Sequence, residues 1–121
     1  MGLFRHIDLD TLNAFWARID TIGVRTATRA NIGAFLVHYL SYARVTGEYR
    51  GWWFTSIDHI SKVTGLTAQN VRTVLKRLRM AGETTLKPTS TGTSIKLSVY
   101  NQLCDFSKRN QQGNQQTTNN E

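Results

Sequence analysis

A mainly helical α+β domain is predicted by three features of this chain. Two long amphipathic segments come first, two shorter ones flank a glycine turn at Gly65, and a pair of strand-patterned segments follows Gly82. With 40% hydrophobic and 10% aromatic residues, the 121 residues suffice for one core of ordinary size.

The first helix is expected over "DLDTLNAFWARID", where Leu9, Leu12, Phe15, Trp16 and Ile19 recur at helical spacing. Asp8 or Asp10 would cap its start, and Gly23 lies just past its end. The second, "RANIGAFLVHYLSYARVTG", carries an unbroken stripe of Ile32, Phe35, Leu36, Tyr39, Leu40 and Ala43, with Gly47 as its expected stop. "GWWFTS" is too short for a helix and rich in aromatic residues, so Trp52 to Thr55 is expected as a strand.

Ser56 then caps "IDHISKVTG", a helix of about two turns that buries Ile57 and Ile60 and stops at Gly65. Leu66 drops into the core, and Thr67 caps a helix from Ala68 to about Met80, ended by Gly82. "ETTLKP" and "TSIKLSVY" are extended segments around the turn "TSTG". In the second of them Ile95, Leu97 and Val99 alternate with Ser94, Lys96 and Ser98, the pattern of a strand buried on one face. This order of elements is that of a winged helix-turn-helix with two extra N-terminal helices. The domain is expected to span residues 1–106. Residues 107–121, a Gln/Asn-rich stretch without a large apolar side chain, read as a disordered tail or linker.

Charge narrows the partner. Fifteen Lys and Arg stand against eight Asp and Glu, a net charge of +7, which suggests an anionic partner, nucleic acid first and a membrane surface second. Most of that charge lies between Thr67 and Tyr100, where Arg72, Lys76, Arg77, Arg79, Lys87 and Lys96 face Glu83 alone. No apolar run approaches the ~20 residues that span a bilayer. "MGLFRHIDLD" lacks a secretion signal's apolar stretch and has His where a myristoylation site has Ser or Thr. A soluble, cytoplasmic protein is expected.

On a helical wheel at about 100° per residue, Val71, Val74, Leu75 and Leu78 share one face. Gln69, Thr73, Lys76 and Met80 point the opposite way, with Arg72 and Arg77 on the flanks. Asn70 lies between the faces, and Arg79 lies near the core edge, over the protein surface or within reach of a phosphate. An outward face of one amide, one hydroxyl and several cations suits the major groove of duplex DNA. Arg or Lys pairs with guanine and Gln with adenine, while the other cations neutralise phosphates. Lys87, Ser90, Thr91 and Lys96 would let the hairpin follow a phosphate backbone or enter the minor groove. The rival from a different class is a winged-helix protein–protein interaction module whose basic face is merely solvated.

The stretch "WWFTSIDHISKVTGLTAQNVRTVLKRLRMAGETTLKPTSTGTSIKLSVYNQL" resembles the N-terminal winged-helix domain of phage replisome-organiser (replication initiation) proteins. The resemblance rests on "TS" before the first motif helix, "TGLTAQNVRTVLKRL", "AGETT", the "GTSI" return strand and the Gln/Asn/Thr-rich stretch after it. It implies a binder of double-stranded DNA at origin repeats in a bacterial host cell, with Thr67, Gln69, Arg72, Thr73 and Lys76 as helix contacts. It also implies recruitment of host replication proteins through a C-terminal region that has no counterpart here. Thr84 departs from the family's isoleucine, which would weaken packing of the first wing strand. Similar helix-turn-helix sequences occur in transcriptional regulators.

No catalytic, metal or cofactor site is expected. His6, His38 and His59 sit on separate elements without paired spacing. Asp8, Asp10, Asp20, Glu48 and Asp58 read as caps and surface charges, because no pair is arranged with a lysine as a nuclease magnesium site requires. Cys104, the only cysteine, excludes an internal disulfide and a thiolate zinc cluster and reads as a small buried or half-exposed thiol. Of Trp52, Trp53 and Phe54, two are expected inside. The ring left over, with Tyr42 or Tyr49, would mark a surface for a homodimer.

Overall fold

The computed structural model describes residues 7–104; expectations for the remaining positions, including the tail over 107–121, lie outside the described residues. Among the described residues, five helices and three strands follow in the order α1 (Leu9–Thr21), α2 (Thr26–Tyr42), β1 (Trp52–Thr55), α3 (Ile57–Thr64), α4 (Ala68–Met80), β2 (Thr84–Pro88), β3 (Thr93–Leu97) and α5 (Tyr100–Leu103). The fold is α+β and mainly helical, with one antiparallel sheet in the order β1-β3-β2.

Asp8, not Asp10, caps α1: its carboxylate accepts the Thr11 N–H at 2.9 Å and the Thr11 hydroxyl at 2.6 Å. Phe15 and Ile19 are buried, whereas Leu9, expected on the apolar stripe, is exposed at the first turn. The core stripe of α2 is formed by Ile32, Phe35, Leu36 and Tyr39, with Leu40 half-buried. Gly47 does not stop this helix. Ala43 already turns extended, and Arg44 then pairs with the start of the sheet, its N–H donating to the Trp52 carbonyl at 3.1 Å. Gly47 instead serves a turn further along the loop, at φ +84°.

In β1 only Trp53 faces inward, stacking on Tyr42 and lying tilted against Phe35; the two-residue strand period turns Trp52, half-buried, and Phe54 to the outer side. The expectation of two inward rings is therefore corrected to one. Trp53, Leu86 and Ile95 share the inner face, and Trp52, Phe54, Lys87, Ser94 and Lys96 share the outer one. Ser94 breaks the expected one-sided burial. It lies on the central strand between Phe54 and Lys87, whose side chains flank it on both sides. The second extended segment also ends sooner than its pattern suggests. β3 stops at Leu97, Ser98 donates its N–H to the Glu83 carbonyl, and a single helical turn, α5, buries Tyr100 and Leu103. Cys104, the chain's single cysteine, is fully buried.

Tyr39 joins the helices to the sheet. Its hydroxyl donates to the Gly51 carbonyl and accepts the Leu97 N–H at 3.1 Å. Among the described residues, no helix is long and apolar enough to cross a membrane.

Candidate nucleic-acid interface

The candidate surface is carried by α3, α4 and the hairpin of β2 and β3. Ser56 caps α3 by accepting the His59 N–H at 3.1 Å, and Gly65 ends it in the left-handed region at φ +79°. The bend between the helices is held from three sides. The Ser61 hydroxyl donates to the Leu66 carbonyl, the Thr64 hydroxyl accepts the Leu66 N–H at 3.2 Å, and Thr67 caps α4 by accepting the Asn70 N–H at 3.0 Å. Leu66 itself is half-buried against the core. These bonds fix which way α4 faces.

Val71, Val74, Leu75 and Leu78 are buried as the wheel requires, and Ile60 of α3 packs in the same core. Gln69, Arg72 and Lys76 are exposed along the crest of α4. Thr73 is half-buried, and its hydroxyl donates to the Gln69 carbonyl at 3.1 Å, leaving its lone pairs available. Thr67 is exposed, but its oxygen is engaged in the cap.

Arg72, Lys76 and Arg79 follow one another at helical spacing and line a groove of about 600 Å³ between α4 and β2, with Leu86 on the strand side. Arg79, left open between two roles by the sequence, belongs to this wall. Arg77 does not. It sits on the opposite flank, half-buried, with its guanidinium donating to the Met80 sulfur at 3.4 Å.

Ser90 and Thr91 are exposed at the hairpin tip. Lys87 and Lys96, expected to work with them, stand on the outer face of the sheet, turned away from the groove because Leu86 and Ile95 take the inner positions. The Lys87 ammonium lies over the Trp52 ring at 5.2 Å. Thr84 is half-buried, and its hydroxyl donates across the hairpin to the Lys96 carbonyl at 2.9 Å, a bond that isoleucine could not make.

One ion pair behind the site was not visible in the sequence. Glu83, the one acidic residue counted above between Thr67 and Tyr100, is buried and paired with Arg18 of α1. Hydrogen bonding to Glu83 and their mutual attraction hold the Arg18 guanidinium above its ordinary range, against the opposing effect of burial. The pair ties the first helix to the strand that starts the hairpin.

Among the described residues, no three His, Cys, Asp or Glu side chains gather in a way that could hold a metal ion. His38 and His59 instead pack beside the Tyr42 ring. No known family model, curated protein or solved structure matches the chain.

Proposed function

We propose that this protein is a winged helix-turn-helix that binds double-stranded DNA, with α4 as the recognition helix and the β2–β3 hairpin as the wing. The observation that carries the reading is the solvent-facing side of α4. Gln69, Arg72, Thr73 and Lys76 lie on or beside its crest, while Arg72, Lys76 and Arg79 form a cationic wall toward the hairpin. Four buried aliphatic side chains anchor the same helix from behind. A helix about 10–12 Å across fits the ~12 Å major groove. Gln69 is suited to adenine and Lys76 to guanine or a phosphate, while Arg72 and Arg79 approach the backbone beside the groove. Ser90 and Thr91 at the hairpin tip meet the adjoining backbone.

The biological setting follows from the resemblance of Trp52–Leu103 to phage replisome organisers: recognition of repeats at a replication origin, with host replication proteins recruited by further sequence. A transcriptional regulator is the alternative within the same chemistry. Selecting bound duplexes from a random pool tests both. Direct repeats support the origin reading, a promoter-type palindrome supports regulation, and no enriched sequence contradicts specific binding. A second reading is favoured by one observation: Met80 is 59% exposed beside the apolar Leu86 in the groove, as a protein-docking module would require.

A further inference from the structure

The outer face of the sheet carries a second, chemically different surface. Trp52 and Phe54 alternate outward along β1, and Tyr49, in the loop before it, meets Phe54 edge to face at 5.3 Å. Phe54 is 44% exposed and Tyr49 51%, a high value for neighbouring large rings. The cations gather on the same rings. Arg44 lies 5.1 Å from the Phe54 ring centre, Lys87 lies over Trp52, and Lys96 stands beside Trp52 in register. Among the described residues, none of these three cations is in an ion pair.

From this arrangement we propose that the outer sheet face binds single-stranded DNA, its bases stacking on Phe54, Tyr49 and Trp52 and its phosphates meeting Lys87, Lys96 and Arg44. Aromatic rings interleaved with unpaired cations are what a strand without a complement requires: π-faces for the bases and positive charge for the backbone. Spacing separates this ligand from a duplex. Positions two apart on a strand are about 6.8 Å from each other, twice the ~3.4 Å rise of one nucleotide in a paired strand. One base per ring therefore needs a stretched, unpaired strand.

The cations now over the rings do not block the site. An exposed cation–π contact is weaker than base stacking on an aromatic ring, so an arriving base displaces Lys87 and Arg44 toward its own phosphates. Because the surface shares no side chain with the α4 crest, it stands or falls apart from the duplex-binding proposal.

The test uses the full chain with a fluorescent twelve-residue oligo(dT), followed by anisotropy and by quenching of tryptophan emission. The expected result is binding that Phe54→Ala and Tyr49→Ala each weaken roughly five- to a hundredfold. Phe54→Trp retains it, and all three variants leave affinity for a selected duplex unchanged. Thermal melting of each variant identifies any loss that comes from unfolding, and the retained binding of Phe54→Trp serves as the folded control. Several results would overturn the proposal: no oligo(dT) binding at low salt, binding indifferent to both alanine changes, or oligo(U) preferred over oligo(dT) by more than tenfold. A dimer in sedimentation that Phe54→Ala dissociates would assign the face to a second copy of the chain instead. Loss of duplex binding alone would contradict the α4 reading and leave this one standing.

Discussion

The Arg18 guanidinium and the Glu83 carboxylate, 65 residues apart in the chain, form a two-pronged pair in which Nη2 donates to Oε1 at 3.0 Å and Nε donates to Oε2. The Arg18 side chain is 43% exposed and Glu83 only 3%, so removing the arginine strands a buried carboxylate. Arg18→Ala should lower unfolding stability by about 1.5–3 kcal/mol, read from urea denaturation with an unchanged slope. Arg18→Lys should recover only part, because an ammonium cannot present the planar fork. The raised Arg18 pKa gives a stabilisation that is complete below the unfolded value and lost only as pH climbs through the folded one. Both lie far on the alkaline side, so the arginine's ionisation contributes no pH dependence in the neutral range.

Tyr39→Phe tests the joint between α2 and the sheet. The change keeps the ring that meets Tyr100 edge to face, but it removes partners from the Gly51 carbonyl and the Leu97 N–H. Two buried backbone groups left without that hydroxyl should cost about 1–3 kcal/mol, measurable by thermal or chemical unfolding.

Gly92 sets how closely the hairpin approaches β1. A Cβ there would lie 2.2 Å from the Thr55 carbonyl oxygen, a backbone atom that no rotamer change can move. Gly92→Ala should push the hairpin away from β1. Hydrogen exchange should then show lost protection in β1 and β3, while the amides of α1 and α2 stay protected.

Gln69 and Lys76 share the exposed crest of α4 and should fail differently. Gln69→Ala should relax selectivity at one base pair by about 1–3 kcal/mol. Lys76→Ala, if it holds a phosphate, should weaken binding to all sequences alike and reduce the salt slope by about 1. Competition assays with single-base variants of a selected site separate the two.

Periodic and locally capped features were legible in the sequence. The apolar faces of α2 and α4, the caps at Ser56 and Thr67, and the left-handed Gly65 are each set by residues within a turn or two. What escaped depended on distance or on brevity. Arg18 and Glu83 meet only through tertiary packing, and no local pattern announces such a pair. The four-residue α5 offers too little periodicity to distinguish it from a continuing strand. The outward position of Lys87 was readable in principle, since Leu86 beside it takes the inner face; the alternation in β3 does place Lys96 opposite its buried stripe. Gly47 misled because the chain left the helix at Ala43 to pair with Trp52 before any glycine was needed.

The dependence of duplex affinity on salt tests the central proposal most directly. The three cations of the α4 wall, Arg72, Lys76 and Arg79, each neutralising one phosphate, predict a log–log slope of about −3 for a selected duplex. Duplex binding that is absent at low ionic strength, or insensitive to added salt, would contradict it.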